Sequence, residues 1–149
     1  MKPKIIPNSL FFLEVAQRIA NNERVRFRAK GNSMLPMIRD GRDEIIIEKT
    51  NEHSFQKGRL LLVQLSDERF VLHRVKKADD RHLLLQGDGN LSFVEACTPS
   101  DVIAEATTVI RNGIAIRVDS FRWNAYRYLW PSSYLLRRVA LGVYRRIKR

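Results

Sequence analysis

Cysteine is almost absent from this chain of 149 residues, in which Cys97 is the only one. A single cysteine cannot form a disulfide within the chain, so the sequence excludes a small scaffold held together by disulfides. We interpret Cys97 as a buried structural thiol rather than as a nucleophile or a metal ligand. We expect the protein to use neither a metal nor another cofactor.

Long apolar runs are also missing. The chain has no uninterrupted apolar stretch of about 18 residues, the length that predicts a transmembrane helix. The apolar cluster at residues 10–13 is short and is followed by Glu14, Gln17 and Arg18, which is not the pattern of a secretory signal. We therefore expect a cytoplasmic protein. Its 44% of hydrophobic residues still suffice for the core of one domain.

Acidic residues are absent from the last part of the chain, residues 120–149, which contains eight basic residues and contributes most of the formal net charge of +11. After Pro131, a helix that begins at Ser132 or Ser133 would align an apolar stripe opposite the arginines. This stripe comprises Leu136, Ala140, Val143 and Ile147, and the aromatic residues Trp123, Tyr126, Tyr128 and Trp130 precede it.

A basic amphipathic helix beside aromatic residues is typical of binding to an anionic membrane surface, here the inner face of the cytoplasmic membrane. The alternative is a helix that packs its stripe on the rest of the protein and exposes its arginines. Nucleic acid is a less favoured partner. The sequence pI of about 10.4 fits it, but no recognition-helix, zinc-finger or RNA-binding signature is present.

The sequence contains several short patterns that are typical of β-strands. Val25, Phe27 and Ala29 alternate with basic residues, which indicates a half-buried strand. Further strands are predicted at residues 44–48, 59–65, 70–75, 82–86, 102–110 and 115–118. We predict a mainly β fold with a short N-terminal helix and a C-terminal helix. The predicted regions are an N-terminal lead-in at 1–22, a central domain at 23–118 and a basic tail at 119–149.

The predicted strand at residues 25–29 leads into a loop that contains a candidate nucleophile, Ser33. A serine hydroxyl needs a neighbouring base to take its proton during attack. Gly31 allows a backbone geometry that other residues resist, and the N–H groups of such a loop can stabilise an oxyanion. Asn32 and Met34 flank the serine. Taken alone, a serine in such a loop is an ordinary turn residue.

His73 is the candidate base. It lies in a predicted strand, where it shares a face with Val71 and Val75, and a histidine can take a proton from serine and return it to a leaving amine. The alternative is a structural histidine held by hydrogen bonds. Lys76 would point to the opposite face if the strand continues, and Lys77, near the strand end, is a weaker candidate base than His73.

Residues 87–90 read Gly-Asp-Gly-Asn, which predicts a tight turn. Asp88 in this turn is a candidate acid that orients His73. Glu95, a few residues further along, is the other candidate for that role, and the sequence leaves the two open.

Together these segments resemble the superfamily of serine peptidases that contains the signal peptidases and the LexA-type self-cleaving repressors. The resemblance covers roughly residues 25–112 and rests on Gly31-x-Ser33-Met34-x-Pro36, on His73-Arg74-Val75 and on Gly87-Asp88-x-Asn90. It implies a coiled β-sheet fold with Ser33 as nucleophile. A histidine followed by Arg-Val matches the endoplasmic-reticulum and archaeal branch, whereas the bacterial signal peptidases and the repressors use a lysine.

The chain departs from that superfamily in three places. Two Gly-Asp pairs of the superfamily stand here as Gly41-Arg42-Asp43 and Gly58-Arg59, and the aspartate that histidine-type members carry after the Gly-Asp-x-Asn turn is missing. The resemblance implies a serine endopeptidase that cleaves a peptide or leader segment in another protein. The alternative is a weak or inactive peptide-binding module with a membrane-binding tail.

Overall fold

The computed structural model describes residues 8–31, 33–91, 93–130 and 134–147. Asn32 of the predicted nucleophile loop lies outside the described residues, as do Ser132 and Ser133, where the C-terminal helix was predicted to begin.

The described chain contains three α-helices and eight β-strands. The helices are α1 (Asn8–Ala20), α2 (Phe121–Leu129) and α3 (Tyr134–Ile147), and a 3-10 turn spans Pro99–Asp101. The strands are β1 (Val25–Arg28), β2 (Asp43–Glu48), β3 (Leu60–Gln64), β4 (Phe70–Ala78), β5 (Leu83–Gln86), β6 (Glu95–Cys97), β7 (Val102–Arg111) and β8 (Ile114–Arg117).

All eight strands belong to one antiparallel sheet in the order β1-β2-β7-β3-β4-β5-β6, with β8 paired to β7. The predicted mainly β fold is therefore confirmed. Irregular pairing on β2, β3 and β4 marks positions where the strand register shifts, and such bulges bend and twist a sheet. The sequence reasoning missed β6, because three residues are too few to show a period-two pattern.

The centre of the sheet is buried on both faces. Leu60, Leu61, Leu62 and Val63 of β3 are each at most 1% exposed, which explains why this strand has a continuous apolar sequence instead of an alternating one. One core cluster lies between the sheet and the helices and includes Val15 and Ile19 of α1 and Trp123 of α2. A second cluster lies on the other face, around Leu61, Leu83 and Leu85.

The C-terminal tail differs from its prediction in two respects. The aromatic segment is itself a helix, α2, whose first turn is capped by the Ser120 side chain, which accepts a hydrogen bond from the Trp123 backbone N–H at 3.3 Å. In addition, α3 turns Arg137 and Leu141 towards the sheet domain, whereas Val143 and Ile147 of the predicted stripe are exposed.

The interpretation in which the stripe packs on the domain is therefore wrong. Arg137 can occupy the inner face because backbone carbonyl groups there accept its hydrogen bonds. None of the helices within the described residues is long and apolar enough to cross a bilayer.

Candidate active site

The nucleophile loop follows β1, and backbone hydrogen bonds join the start of the loop to its end. The Ala29 N–H donates to the Asp43 carbonyl at 3.0 Å, and the Gly41 N–H donates to the Ala29 carbonyl at 3.4 Å. Gly31 has a φ of +87°, a left-handed conformation that glycine adopts without strain, and its N–H donates to an Asp40 carboxylate oxygen at 2.8 Å. The loop is therefore tied to its own exit strand on both sides of Ser33.

Ser33 is tied in turn to the Gly-Asp-Gly-Asn turn. Its carbonyl accepts a hydrogen bond from the Gly89 N–H at 2.7 Å. The neighbouring Met34 is buried, and its sulfur accepts a hydrogen bond from the Asp88 N–H at 3.4 Å. Two motifs more than fifty residues apart are thus joined directly by these two hydrogen bonds, which position Ser33 relative to the turn.

His73 is held by Glu95. The His73 Nδ1 atom lies 2.8 Å from a Glu95 carboxylate oxygen, and both side chains are almost completely buried, at 4% and 6% exposure. β4 carries the histidine and β6 carries the glutamate, with β5 between these two strands. A carboxylate at Nδ1 selects the ring tautomer and orientation that leave Nε2 for proton transfer.

Ser33 and His73 line the same cavity. Gly87 lies in contact with both, since a Cβ atom on Gly87 would stand 2.2 Å from the Ser33 carbonyl oxygen and 3.1 Å from His73 Cδ2. No hydrogen bond joins the Ser33 hydroxyl to His73 among the bonds of the described residues. Serine and histidine nevertheless line one cavity, although forty residues separate them in sequence.

Asp88 faces a different partner. Its carboxylate is fully buried and accepts two hydrogen bonds from the Arg74 guanidinium, both at 2.8 Å. Burial by itself lowers the pKa of Arg74, but the charge and hydrogen bonds of Asp88 together with Tyr126 outweigh that effect, so the pKa is raised. Of the two acids that the sequence left open, Glu95 contacts His73, and Asp88 forms an ion pair that holds the turn.

The C-terminal helices complete this turn. Arg137 Nη1 donates to the carbonyl oxygens of Gly87 at 3.0 Å, Asn90 at 3.1 Å and Asp88 at 3.4 Å. Trp130 Nε1 also donates to the Asp88 carbonyl, at 3.2 Å. Burial lowers the pKa of Arg137, although the Asp88 charge opposes this effect. Sequence reasoning assigned both residues to the basic tail and missed their contacts with the turn, because nothing local distinguishes Arg137 from the exposed arginines beside it.

The cavity beside Ser33 and His73 has a volume of about 480 Å³. Four phenylalanines from three elements contribute to its wall and contact one another, with ring centroids 4.9–6.4 Å apart: Phe11, Phe12, Phe27 and Phe70. Arg28 and Lys30 add positive charge to the lining. Lys76 and Lys77, considered as alternative bases, are both exposed on the last part of β4.

Two of the departures from the superfamily pattern are buried charged contacts in the structure. Asp43 is fully buried and accepts hydrogen bonds from the Arg39 N–H at 2.9 Å and from the Arg42 guanidinium at 2.8 and 2.9 Å. Burial raises the pKa of Asp43. These donors and Arg111 together lower it by a larger amount, so the pKa of Asp43 is below its ordinary value. Arg59 donates to Glu105 at 2.9 Å in the second contact.

Cys97 is buried at the end of β6 and is not part of the cavity lining. Burial raises the pKa of its thiol to about 11, so very little nucleophilic thiolate is present at neutral pH. The thiol therefore has the properties of a structural side chain.

A comparison with curated proteins found no match to this chain. A family model described as Peptidase S24-like matches residues 1–101, which is more than half of the chain and includes Ser33, His73, Asp88 and Glu95. The two C-terminal helices lie outside the match. This result confirms the predicted relationship to the LexA and signal peptidase superfamily: the chain belongs to the Peptidase S24-like family.

Proposed function

We propose that this protein is a serine endopeptidase in which Ser33 is the nucleophile, His73 the general base and Glu95 the acid that orients the base. The observation that carries this proposal is the buried hydrogen bond between Glu95 and His73, a residue that lines the same cavity as Ser33. In this chemistry the base takes the proton of the serine hydroxyl, and the acid holds the ring of the base in the orientation that this transfer requires.

The proposed reaction has two stages. His73 Nε2 takes the Ser33 hydroxyl proton as the serine oxygen bonds to the scissile carbonyl carbon, and the same proton then passes to the leaving amine as the C–N bond breaks. A water molecule next attacks the acyl ester, again with His73 as base, and releases the acid product and free Ser33. We assign the Ser33 backbone N–H as an oxyanion donor.

The substrate we propose is an extended peptide or leader segment in another protein. β1 is an edge strand of the sheet. Among the described residues, residues 70–73 of β4 pair with β3 alone, whereas β5 pairs with β4 only from Arg74 onwards. Free strand edges beside a cleft can bind a peptide by main-chain hydrogen bonds. The aromatic wall of the cavity favours an apolar substrate side chain next to the scissile bond.

The test is covalent labelling of the purified full chain with a fluorophosphonate, read by intact mass. We expect one adduct on the wild type, none on Ser33→Ala or His73→Ala, and wild-type labelling of the matched controls Ser66→Ala and His82→Ala, whose side chains are exposed. Equal labelling of Ser33→Ala and the wild type would falsify the proposal. Thermal melting of each variant separates loss of chemistry from loss of folding.

A second candidate is peptide binding without cleavage, which the missing Ser33–His73 hydrogen bond favours. Such a module would bind apolar peptides in the same cavity but would not acquire the probe. Peptide binding without any adduct on the wild type therefore selects this second function.

A further inference from the structure

The outer face of α3 carries an apolar stripe that the sheet domain does not cover. Leu135, Val139, Val143 and Ile147 follow one another at intervals of four residues, which places them along one side of a helix. Their exposed fractions lie between 50% and 78%. Side chains of this size are rarely left in water as a continuous row, so the stripe indicates a binding surface.

The opposite face of α3 is buried against the rest of the protein. Leu141 is 2% exposed, and Arg137 is buried with its guanidinium bonded to the carbonyls of the Gly-Asp-Gly-Asn turn. Rotating the helix to bury the stripe would break these bonds. The packing of α3 therefore holds the stripe outward.

The charge around the stripe is positive. Arg138, Arg145 and Arg146 on α3 are exposed, and the chain has no acidic residue after Asp119. This distribution favours an anionic partner. It disfavours a second copy of the chain, because pairing two such stripes would bring like charges together.

We propose that α3 docks on an anionic phospholipid membrane surface, with the stripe of Leu135, Val139, Val143 and Ile147 at the boundary between headgroups and acyl chains. A helix of 14 residues is about 21 Å long, which suits a helix lying in the membrane plane rather than across it. Exposed arginines beside an inserted apolar row are the arrangement that anionic lipids attract. This proposal does not depend on the catalytic one.

The experiment measures co-sedimentation of the wild-type chain and its variants with phosphatidylcholine vesicles containing about 30 mol% phosphatidylglycerol, and with pure phosphatidylcholine vesicles, at low and high salt. Leu135→Glu places a charge in the stripe. Leu13→Glu is the matched control, because Leu13 is an exposed leucine of α1. Val143→Glu provides a second stripe variant should Leu135→Glu not fold.

We expect binding to the anionic vesicles alone, weakened by salt, reduced about tenfold or more by either stripe variant and unchanged in Leu13→Glu. Equal binding by the wild type and the stripe variants overturns the proposal, as does no binding of the wild type at low salt. A wild-type dimer that the stripe variants dissociate, without vesicle binding, would instead identify a second copy as the occupant.

Discussion

Glu95 and His73 meet through a buried hydrogen bond of 2.8 Å, whereas Asp88, the more conspicuous acid of the Gly-Asp-Gly-Asn turn, is bound by Arg74. The two acids therefore have separable roles. One bonds to the ring of the proposed base, and the other forms an ion pair with a buried arginine.

Replacing each acid by its amide should separate these roles. Glu95→Gln keeps an oxygen that can accept from His73 but loses the charge, and we expect the rate of probe acylation to fall about 10²–10⁴-fold, by analogy with loss of the orienting acid in a serine protease. Asp88→Asn leaves Arg74 buried without a countercharge, so we expect a loss on the order of 3 kcal/mol in the free energy of unfolding.

The measurements are acylation kinetics and urea unfolding on both variants. Glu95→Gln should affect mainly the kinetics, and Asp88→Asn mainly the unfolding. The reverse pattern would assign the orienting role to Asp88.

Arg137 is expected to act as a positioning residue. Arg137→Ala removes the donor shared by three carbonyls of the turn that bonds to the Ser33 carbonyl. We expect the maximal rate of acylation to fall about tenfold with little change in the inhibitor concentration for half-maximal rate, because the misplacement affects the nucleophile more than the cavity.

Arg138→Ala is the matched control, since Arg138 is the next residue and is exposed. Arg137→Lys should restore part of the rate by returning one donor. A purely structural role would instead lower the melting temperature of Arg137→Ala while its rate at low temperature stays at the wild-type value.

Gly87 has no room for a side chain. In Gly87→Ala the added Cβ would overlap the Ser33 carbonyl oxygen, a backbone atom that cannot move aside without moving the nucleophile loop. We expect acylation to fall about a hundredfold and the free energy of unfolding to fall by about 1–3 kcal/mol.

Gly142→Ala makes the same chemical change at a helical position with open space around it. This control should keep wild-type acylation and gain up to about 1 kcal/mol of stability. Wild-type acylation by Gly87→Ala would show that the loop tolerates displacement.

Asp43 should make stability depend on acid pH. Its pKa is lowered in the folded protein, so its stabilising contribution is present above the ordinary aspartate pKa of about 3.9 and is lost as the pH falls through the lower folded value. We expect Asp43→Asn to be less stable than the wild type near neutral pH and the two free energies of unfolding to converge at low pH.

Urea unfolding at a series of pH values measures this difference. Asp67→Asn is the control, because the pKa of Asp67 is also lowered, chiefly by Arg69, but the side chain is exposed and solvent screens its interactions. Parallel pH profiles for the wild type and Asp43→Asn would contradict the prediction.

The C-terminal helix shows the limit of reasoning from sequence periodicity. Its amphipathic pattern predicted a helix with an apolar stripe, and that helix is present. The side of α3 that faces the domain could not be predicted, because Arg137 is buried against carbonyls about fifty residues earlier in the chain. Burial of an arginine is unfavourable unless such acceptors are supplied, and only the tertiary structure reveals that they are.

The sequence by itself determined the mainly β fold and the family, and it named Ser33 and His73 as candidate site residues, because alternating burial and short motifs are properties of neighbouring residues. The tertiary structure alone decided which acid meets His73. Sequence spacing made both Asp88 and Glu95 reasonable. Strand pairing aligns Glu95 of β6 with Val75 by way of Leu85, two residues along β4 from His73, and Asp88 bonds to Arg74 instead. Contacts between distant segments depend on sheet register and packing, and no local pattern encodes them.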